Sequence, residues 1–188
     1  MPHERGQMIS KRMLLGSMVA LTCVPGARPA RAALPPIPMG RHERYMRLAI
    51  EQGRKNPAFP FGAVIVRPET DEVMASGINH ARENPTLHGE IVCMNDYIAR
   101  HGNRGWDALV LYTTCEPCPM CMTAFVFAGI GGVVFGTTNT DGLRKAGLDP
   151  IAISAKDVVD AAPFYKGHLL LGGVLASETD RMFLDRKR

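Results

Sequence analysis

Apolar and polar positions follow two different periods along the first part of the chain. In residues 41–55 the apolar side chains recur every three or four positions, which predicts an amphipathic helix. Residues 61–66 form a continuous apolar run with β-branched side chains at its end, a pattern typical of a buried strand. A turn follows, and residues 72–78 predict a second strand that pairs with the first as a hairpin.

A helix is expected to begin at Asn84, because asparagine is a favoured cap and Pro85 suits the first helical position. Apolar side chains at helical spacing continue to His101, and Gly102 is a typical helix end. This helix also contains Cys93, which we interpret as a buried and unreactive thiol.

The rest of the chain alternates between apolar runs and helical patterns. A helix is predicted to end near residue 128, and one or two short helices are predicted before residue 160. A last helix is expected over residues 177–185, with Ser177 as its cap. Three more strands are expected, at residues 109–113, 131–135 and 169–171.

This alternation predicts a layered α/β fold with helices on both faces of one sheet. The class we expect is a three-layer α/β/α sandwich around a mixed central five-stranded sheet. Residues that follow the strand ends in such a sheet commonly form the functional site.

Composition supports one globular domain, since 188 residues with 46% hydrophobic content are enough for a substantial core. The formal net charge of +4 is concentrated in residues 1–32, which hold five Lys/Arg and one acidic residue. The remaining chain has 17 basic and 17 acidic residues, so a strongly basic surface for nucleic acid is not expected. Residues 33–40 contain three prolines and predict an extended linker, which leaves residues 41–188 as the folded domain.

Residues 1–32 have the three parts of a signal peptide: a basic start at Lys11 and Arg12, a short apolar stretch, and a small-residue end at residues 30–32. The apolar stretch of about twelve residues is too short to cross a bilayer, which needs about twenty. The basic pair resembles a twin-arginine export signal, with Lys11 in place of the first arginine. We expect cleavage after Ala32 and export to the periplasm or the medium. If the segment is a loosely packed arm instead, the protein stays cytoplasmic.

Two short stretches carry the residue types of a catalytic metal site: H-G-E at residues 88–90 and P-C-P-M-C at residues 117–121. A catalytic zinc ion takes three protein ligands and leaves one position for water. The imidazole of His88 and the thiolates of Cys118 and Cys121 supply three, and a helix start at the second stretch favours thiolates. Glu90 is then free to carry protons beside the ion.

A closed zinc site is the alternative from the residues alone. Cys115 could join His88 and the two other cysteines to give three thiolates and one imidazole. That set leaves no position for water and no role for Glu90. A catalytic site and a non-catalytic zinc-binding fold are both open at this point.

The chain from about Tyr45 to Phe183 resembles the cytidine and deoxycytidylate deaminase superfamily, and within it the guanine deaminase and tRNA adenosine deaminase branch. Residues 84–91 are similar to its segment D-P-T-x-H-A-E-[IV], with Asn84 for the usual aspartate and Gly89 for the usual alanine. Residues 112–121 closely match its second metal-binding stretch.

The resemblance implies a cytidine deaminase-like fold and a hydrolytic deaminase of a nucleobase or nucleoside that releases ammonia. It implies one Zn²⁺ per chain, held by His88, Cys118 and Cys121. It also implies that Glu90 transfers protons between water and the substrate.

Further positions take a role from the resemblance. Asn79, which by position alone would be a turn residue, matches a substrate-contacting asparagine, and backbone groups near Ala63 are expected to touch the base. Cys115 matches a cysteine that does not usually bind metal. Phe164 and Tyr165 could stack on a flat base, although two aromatics before a strand are more often core residues. Family members are usually dimers or larger, so we expect a homodimer and no membrane association.

Several features separate the candidate substrates. A free purine base such as guanine is favoured by A-G-L-D at residues 146–149, which resembles the A-G-F-D segment of guanine deaminases. The lack of net charge after residue 32 and the expected export argue against a large RNA partner. The tRNA branch is favoured by residues 172–175 and the basic end at residues 186–188, which is equally typical of a solvated tail. A pyrimidine base such as cytosine stays open.

Overall fold

The structure is a computed structural model that describes residues 34–186. Within that range the chain forms five strands and six α-helices. The strands are β1 (Gly62–Arg67), β2 (Glu72–Ile78), β3 (Val110–Cys115), β4 (Gly132–Thr137) and β5 (Leu169–Leu171). The helices are α1 (Met39–Arg54), α2 (Gly89–His101), α3 (Pro119–Ala128), α4 (Asp141–Lys145), α5 (Ala155–Asp160) and α6 (Ala176–Leu184). The predicted signal peptide lies outside the described residues and stays a prediction.

The strands form one mixed sheet in the order β2-β1-β3-β4-β5. The β1 strand is antiparallel to β2 and β3, whereas β3, β4 and β5 run parallel to one another. Parallel neighbours need a crossover connection, which α3 provides between β3 and β4. The predicted α/β class with a mixed five-stranded sheet is therefore confirmed.

Alternation along β1 explains the three layers. Ala63 and Ile65 point into a core that α2, α3 and α5 cover, whereas Val64 and Val66 point into a second core beneath α1. Successive side chains of a strand face opposite sides of a sheet, so a run that is apolar throughout requires helices on both sides. Each large apolar side chain buried there contributes about 1.5–3 kcal/mol to stability.

The start of the domain differs from the linker predicted for residues 33–40. The α1 helix already begins at Met39, and Leu34 and Ile37 pack against the core beneath α1. Prolines in this segment prevent a helix but do not prevent apolar side chains between them from being buried. The folded domain therefore begins before residue 41.

The start of α2 also differs from the prediction. The helix begins at Gly89 rather than Pro85, and His88 is its cap. The side-chain Oδ1 of Asn84 accepts hydrogen bonds from the N–H and the Oγ1–H of Thr86, at 3.0 and 2.8 Å. Asparagine often bonds to the backbone two residues onward, and this local turn competes with helix capping.

The last helix begins at Ala176, and its cap is Leu175 in the left-handed region at φ 53°, not Ser177. Capping by serine requires the residue to precede the helix, and Ser177 lies inside it. No helix within residues 34–186 is both long and apolar enough to cross a membrane.

Candidate active site

The first turns of two helices bring the predicted metal ligands together. His88 immediately precedes α2 and Cys118 immediately precedes α3, and Cys121 follows in the first turn of α3. Pro119 suits the first position of α3, because that N–H has no partner within a helix. Since β3 ends at Cys115, α3 begins just beyond the carboxyl end of a central strand.

The spacing of the three ligand atoms fits zinc. The Sγ atoms of Cys118 and Cys121 each lie 3.6 Å from Nδ1 of His88, and all three atoms lie within 4.8 Å of one another. Around a tetrahedral ion with Zn–S distances of ~2.3 Å and Zn–N distances of ~2.1 Å, nitrogen and sulfur ligands stand about 3.6 Å apart. Both the donor types and their separations are therefore those of a zinc site.

The two thiols are strongly coupled. The hydrogen bond with Cys121 lowers the pKa of Cys118 to about 4, and the same interaction raises the pKa of Cys121. Thiols bind a metal ion in their deprotonated form, and a divalent cation at this site stabilises both thiolates.

Glu90 is 3% exposed and lies beside the ligands. Its Oε2 is 3.8 Å from the Sγ of Cys121, and its Oε1 accepts a long hydrogen bond of 3.5 Å from Oγ1 of Thr113. Burial raises the pKa of Glu90 to about 7, which suits a group that accepts and donates protons near neutrality. A cation at the adjacent ligands lowers that pKa again, because opposite charge favours the carboxylate.

Cys115 does not join the ligand group. It is 1% exposed and packs with Leu143, Ala146 and Phe183. Among residues 34–186, the group of side chains arranged to hold a metal is His88 with Cys118 and Cys121. Cys93 is buried in the core beneath α2, and burial raises its pKa well above the usual value.

A cavity of about 420 Å³ opens above these residues. His88, Glu90 and Cys118 contribute to its lining. Most of the remaining lining is apolar and comes from Phe59, Phe61, Ala81, Met120, Leu143, Leu148, Pro150 and Ile151. Pockets of this size and apolar character with a few polar groups are typical of small-molecule sites.

The two predicted substrate contacts have different positions. Asn79 lines the cavity at 6% exposure, and no hydrogen bond to its side-chain amide is found within residues 34–186. Ala63 does not line the cavity: it is fully buried, and its backbone is paired between β2 and β3. Phe61, two residues earlier, lines the cavity instead. The expectation of backbone contacts near Ala63 is therefore corrected toward the start of β1.

Sequence reasoning missed most of the wall formed by the segment after β4. Leu143, Ile151 and their neighbours reach the cavity from this segment, and the A-G-L-D motif was the one signal that pointed there. Glu116 also lines the cavity and was not singled out. Tyr165 packs against the core and donates to the carbonyl of Ile130, while Phe164 is exposed, and neither belongs to the cavity wall.

The model of the cytidine and deoxycytidylate deaminase zinc-binding region matches residues 39–137. A guanine deaminase from Bacillus subtilis is 34% identical over 114 residues, which cover 57% of this chain and 71% of that protein. A tRNA-specific adenosine deaminase from the same organism is 30% identical over 107 residues, 55% of this chain and 66% of that protein. A solved structure of a guanine deaminase from Nitrosomonas europaea superposes with a TM-score of 0.62 at 18% identity, covering 81% of this chain and 85% of that one.

The chain belongs to the cytidine and deoxycytidylate deaminase family. It is a deaminase, a hydrolase of C–N bonds, and its cofactor is one Zn²⁺. The closed, non-catalytic site considered from the sequence is therefore set aside.

Replacing His88, Cys118 or Cys121 by alanine is expected to abolish stoichiometric zinc binding, because each change leaves two protein ligands for an ion that needs three. Elemental analysis of the purified protein measures zinc per chain. Cys115→Ala is the matched control, and it should retain one zinc ion. Loss of zinc from Cys115→Ala as well would favour the closed set of four ligands.

Proposed function

We propose that this chain hydrolyses the exocyclic amine of a free purine base, with guanine as its substrate, and that Glu90 transfers the protons. The observation that carries the proposal is the composition of one cavity. It combines the zinc-ligand group and the buried Glu90 with Asp149, an exposed carboxylate on the A-G-L-D segment. The 34% identity to a guanine deaminase supports the same substrate class.

The chemistry requires water to add to the ring carbon that bears the amine. When bound at the ligand group, zinc supplies a Lewis acid that makes water acidic enough to act as a nucleophile near neutral pH. Glu90 accepts the proton of the attacking water and passes it to the adjacent ring nitrogen. Glu90 then takes the remaining proton from the added hydroxyl and gives it to the departing amine, so a C=O bond forms, the C–N bond breaks and ammonia leaves. Burial and the contact with Thr113 hold the carboxylate in place for both transfers.

The cavity walls suit a flat base. Phe59 and Phe61 offer aromatic surface, and stacking on such rings is favourable for any base. The exocyclic amine of guanine, its 2-amino group, is the group that the reaction removes, and the ring N1–H beside it is a donor. In adenine and cytosine the ring nitrogen beside the amine-bearing carbon is an acceptor instead. A carboxylate oxygen can accept the N1–H in a charge-assisted hydrogen bond. Asp149 is the carboxylate of the cavity wall that we assign to this recognition, and Asn79 is the amide that we assign to the opposite polar edge of the base.

A tRNA substrate is the second candidate, since a tRNA adenosine deaminase is also a relative. One contact weakens it. The guanidinium of Arg186 donates to the carbonyls of Ala146 and Gly147, at 3.1 and 3.4 Å, so this part of the basic C-terminus supports the cavity wall. That engagement favours a structural role over RNA contact for Arg186.

We also propose that a second copy of the chain covers the outer face of α3. Phe127 and Phe164 are 75% and 59% exposed and stack on each other at a centroid distance of 5.9 Å. Met120, on the same helix, is exposed at 37% and reaches the cavity. The α3 helix carries no charged residue, and helices that are apolar all round are usually buried. Association through Met120, Phe127 and Phe164 would therefore extend to the mouth of the cavity.

Glu90→Gln is expected to keep zinc and to lose about 10²- to 10⁴-fold in turnover, the usual contribution of a general acid–base group. Ammonia release and zinc content are measured on the same preparation. Glu83→Gln, which changes an exposed carboxylate beside His80, is the matched control and should leave both unchanged. Near-normal turnover in Glu90→Gln would refute the assignment.

Substrate choice is tested with a panel of guanine, adenine, cytosine, their nucleosides and tRNA, with ammonia release and inosine formation as readouts. Guanine is expected to be the preferred substrate. Asp149→Asn should raise KM for guanine by about 10- to 100-fold, the value of hydrogen bonds to a charged group. Asp160→Asn, an exposed surface change, is the control. Inosine formed in tRNA without activity on free bases would establish the second candidate instead.

The unmodified chain is expected to sediment as a dimer, and Phe127→Asp should convert it to a monomer by placing a charge in the apolar contact. Analytical ultracentrifugation measures both. Val73→Asp makes the same change at an exposed apolar residue on the edge strand β2 and should stay dimeric. A monomeric unmodified chain at micromolar concentration would contradict the proposed association.

A further inference from the structure

Glu116 is a buried carboxylate that the proposed reaction does not use. It lies between β3 and α3, directly before the Pro117-Cys118 step, and is 7% exposed. Its Oε2 accepts a hydrogen bond of 2.9 Å from the backbone N–H of Asn139, and its Oε1 accepts one of 2.8 Å from the backbone N–H of Ala155. Both bonds are buried.

These two backbone groups stand at the two ends of one segment. Asn139 follows β4, and Ala155 is the first residue of α5. The residues from 139 to 154, here called the cavity segment, contribute one wall of the cavity. They include Leu143, Leu148 and Asp149. A single side chain therefore fixes both points at which this wall joins the rest of the fold.

Other contacts hold the middle of the cavity segment independently of Glu116. The side-chain Nδ2 of Asn139 donates to the carbonyl of Ile151 at 3.2 Å, and Leu143 packs beside Phe183 of α6. These contacts keep the segment folded as a unit. Leu143 also packs against Cys115, at the end of β3, but this contact is apolar and does not fix the two ends of the segment. Glu116 lies nearer the metal-binding turn, here residues 117–121: it is two residues from Cys118 and is separated from it by a rigid proline.

A buried carboxylate is unfavourable unless hydrogen bonds compensate it, and an apolar residue would fill the same space at lower cost. Its two bonds to backbone N–H groups serve a geometric purpose that an apolar residue could not. The sequence of a connection this long does not by itself determine its position on the fold. For the cavity segment, that position depends on hydrogen bonds from both of its ends to Glu116, which is distant in sequence.

We propose that Glu116 is a positioning residue that ties the cavity segment to the metal-binding turn. It holds the substrate-contacting wall in a fixed place relative to Glu90 and the zinc ligands. The part of this inference that concerns substrate affinity rests on the proposed function, whereas the part that concerns the segment's attachment does not.

Glu116→Gln tests the attachment, because the isosteric amide keeps one acceptor and presents N–H groups to the other backbone donor. Arg144 and Lys145 provide trypsin sites within the cavity segment. Cleavage after these residues is expected to be at least tenfold faster in Glu116→Gln than in the unmodified zinc-loaded protein. Cleavage elsewhere and zinc content should stay close to those of the unmodified protein, and the thermal midpoint should fall by only a few degrees. Glu178→Gln, an exposed carboxylate paired with Arg47, is the matched control and should cut at the unmodified rate.

Kinetics on the preferred substrate separate positioning from chemistry. Glu116→Gln is expected to raise KM about tenfold and to change kcat by less than about threefold, since the reacting groups are untouched. Unchanged cleavage of the cavity segment overturns the proposal. A large fall in kcat at constant KM also overturns it, because Glu116 would then act on the reacting atoms. If the unmodified protein deaminates no base, the proposed function fails, and the cleavage comparison still decides the role of Glu116.

Discussion

The zinc site depends on α2 and α3 beginning close together in space. His88 and Cys118 are 30 residues apart in sequence, yet a single ion has to reach both within bonding distance. Close backbone approach makes this possible. A Cβ at Gly77 of β2 would stand 2.2 Å from the carbonyl oxygen of Gly89, and a Cβ at Gly89 would stand 2.4 Å from the carbonyl oxygen of Phe61. Glycines at these two positions let α2 lie directly on the sheet and set the position of His88.

The sequence predicted those features that depend on neighbours along the chain. The strands at Glu72–Ile78 and Leu169–Leu171 have the expected bounds. The ligand stretches were found because H-x-E and P-C-x-x-C resemble the zinc signature of the family, and the spacing of Cys118 and Cys121 also fits one helical turn. Local patterns failed where two local structures compete. The side chain of Asn84 forms a local turn instead of capping a helix, and α2 begins at Gly89 instead of at Pro85. The cavity segment was missed for another reason, because its position depends on Glu116 and Arg186, which are distant from it in sequence.

Acidic groups and thiols lie close together in this site. Cys118, the buried Glu90 and the buried Glu116 line one cavity, and Cys121 lies beside Glu90. Three kinds of positive potential compensate them: the N-terminal turns of α2 and α3, backbone N–H groups, and the divalent ion. The two carboxylates differ in the hydrogen bonds that stabilise them. Glu116 is satisfied by fixed backbone donors, whereas Glu90 has one long hydrogen bond and a raised pKa. That difference leaves Glu90 free to change its protonation, whereas the two hydrogen bonds of Glu116 hold backbone groups in place.

In the proposed function, catalysis and substrate recognition use different parts of the cavity. The floor of the cavity comes from helix starts that the sheet positions, and its residues are largely buried. The wall that we propose to recognise the base comes from a connection after β4, and such connections tolerate change without disturbing the sheet. A substitution in the cavity segment should change which base is bound, and a substitution at the helix starts should change whether any base reacts. Glu116 lies between the cavity segment and the helix start that carries Cys118 and Cys121. Its variants therefore test how firmly these two parts are held together.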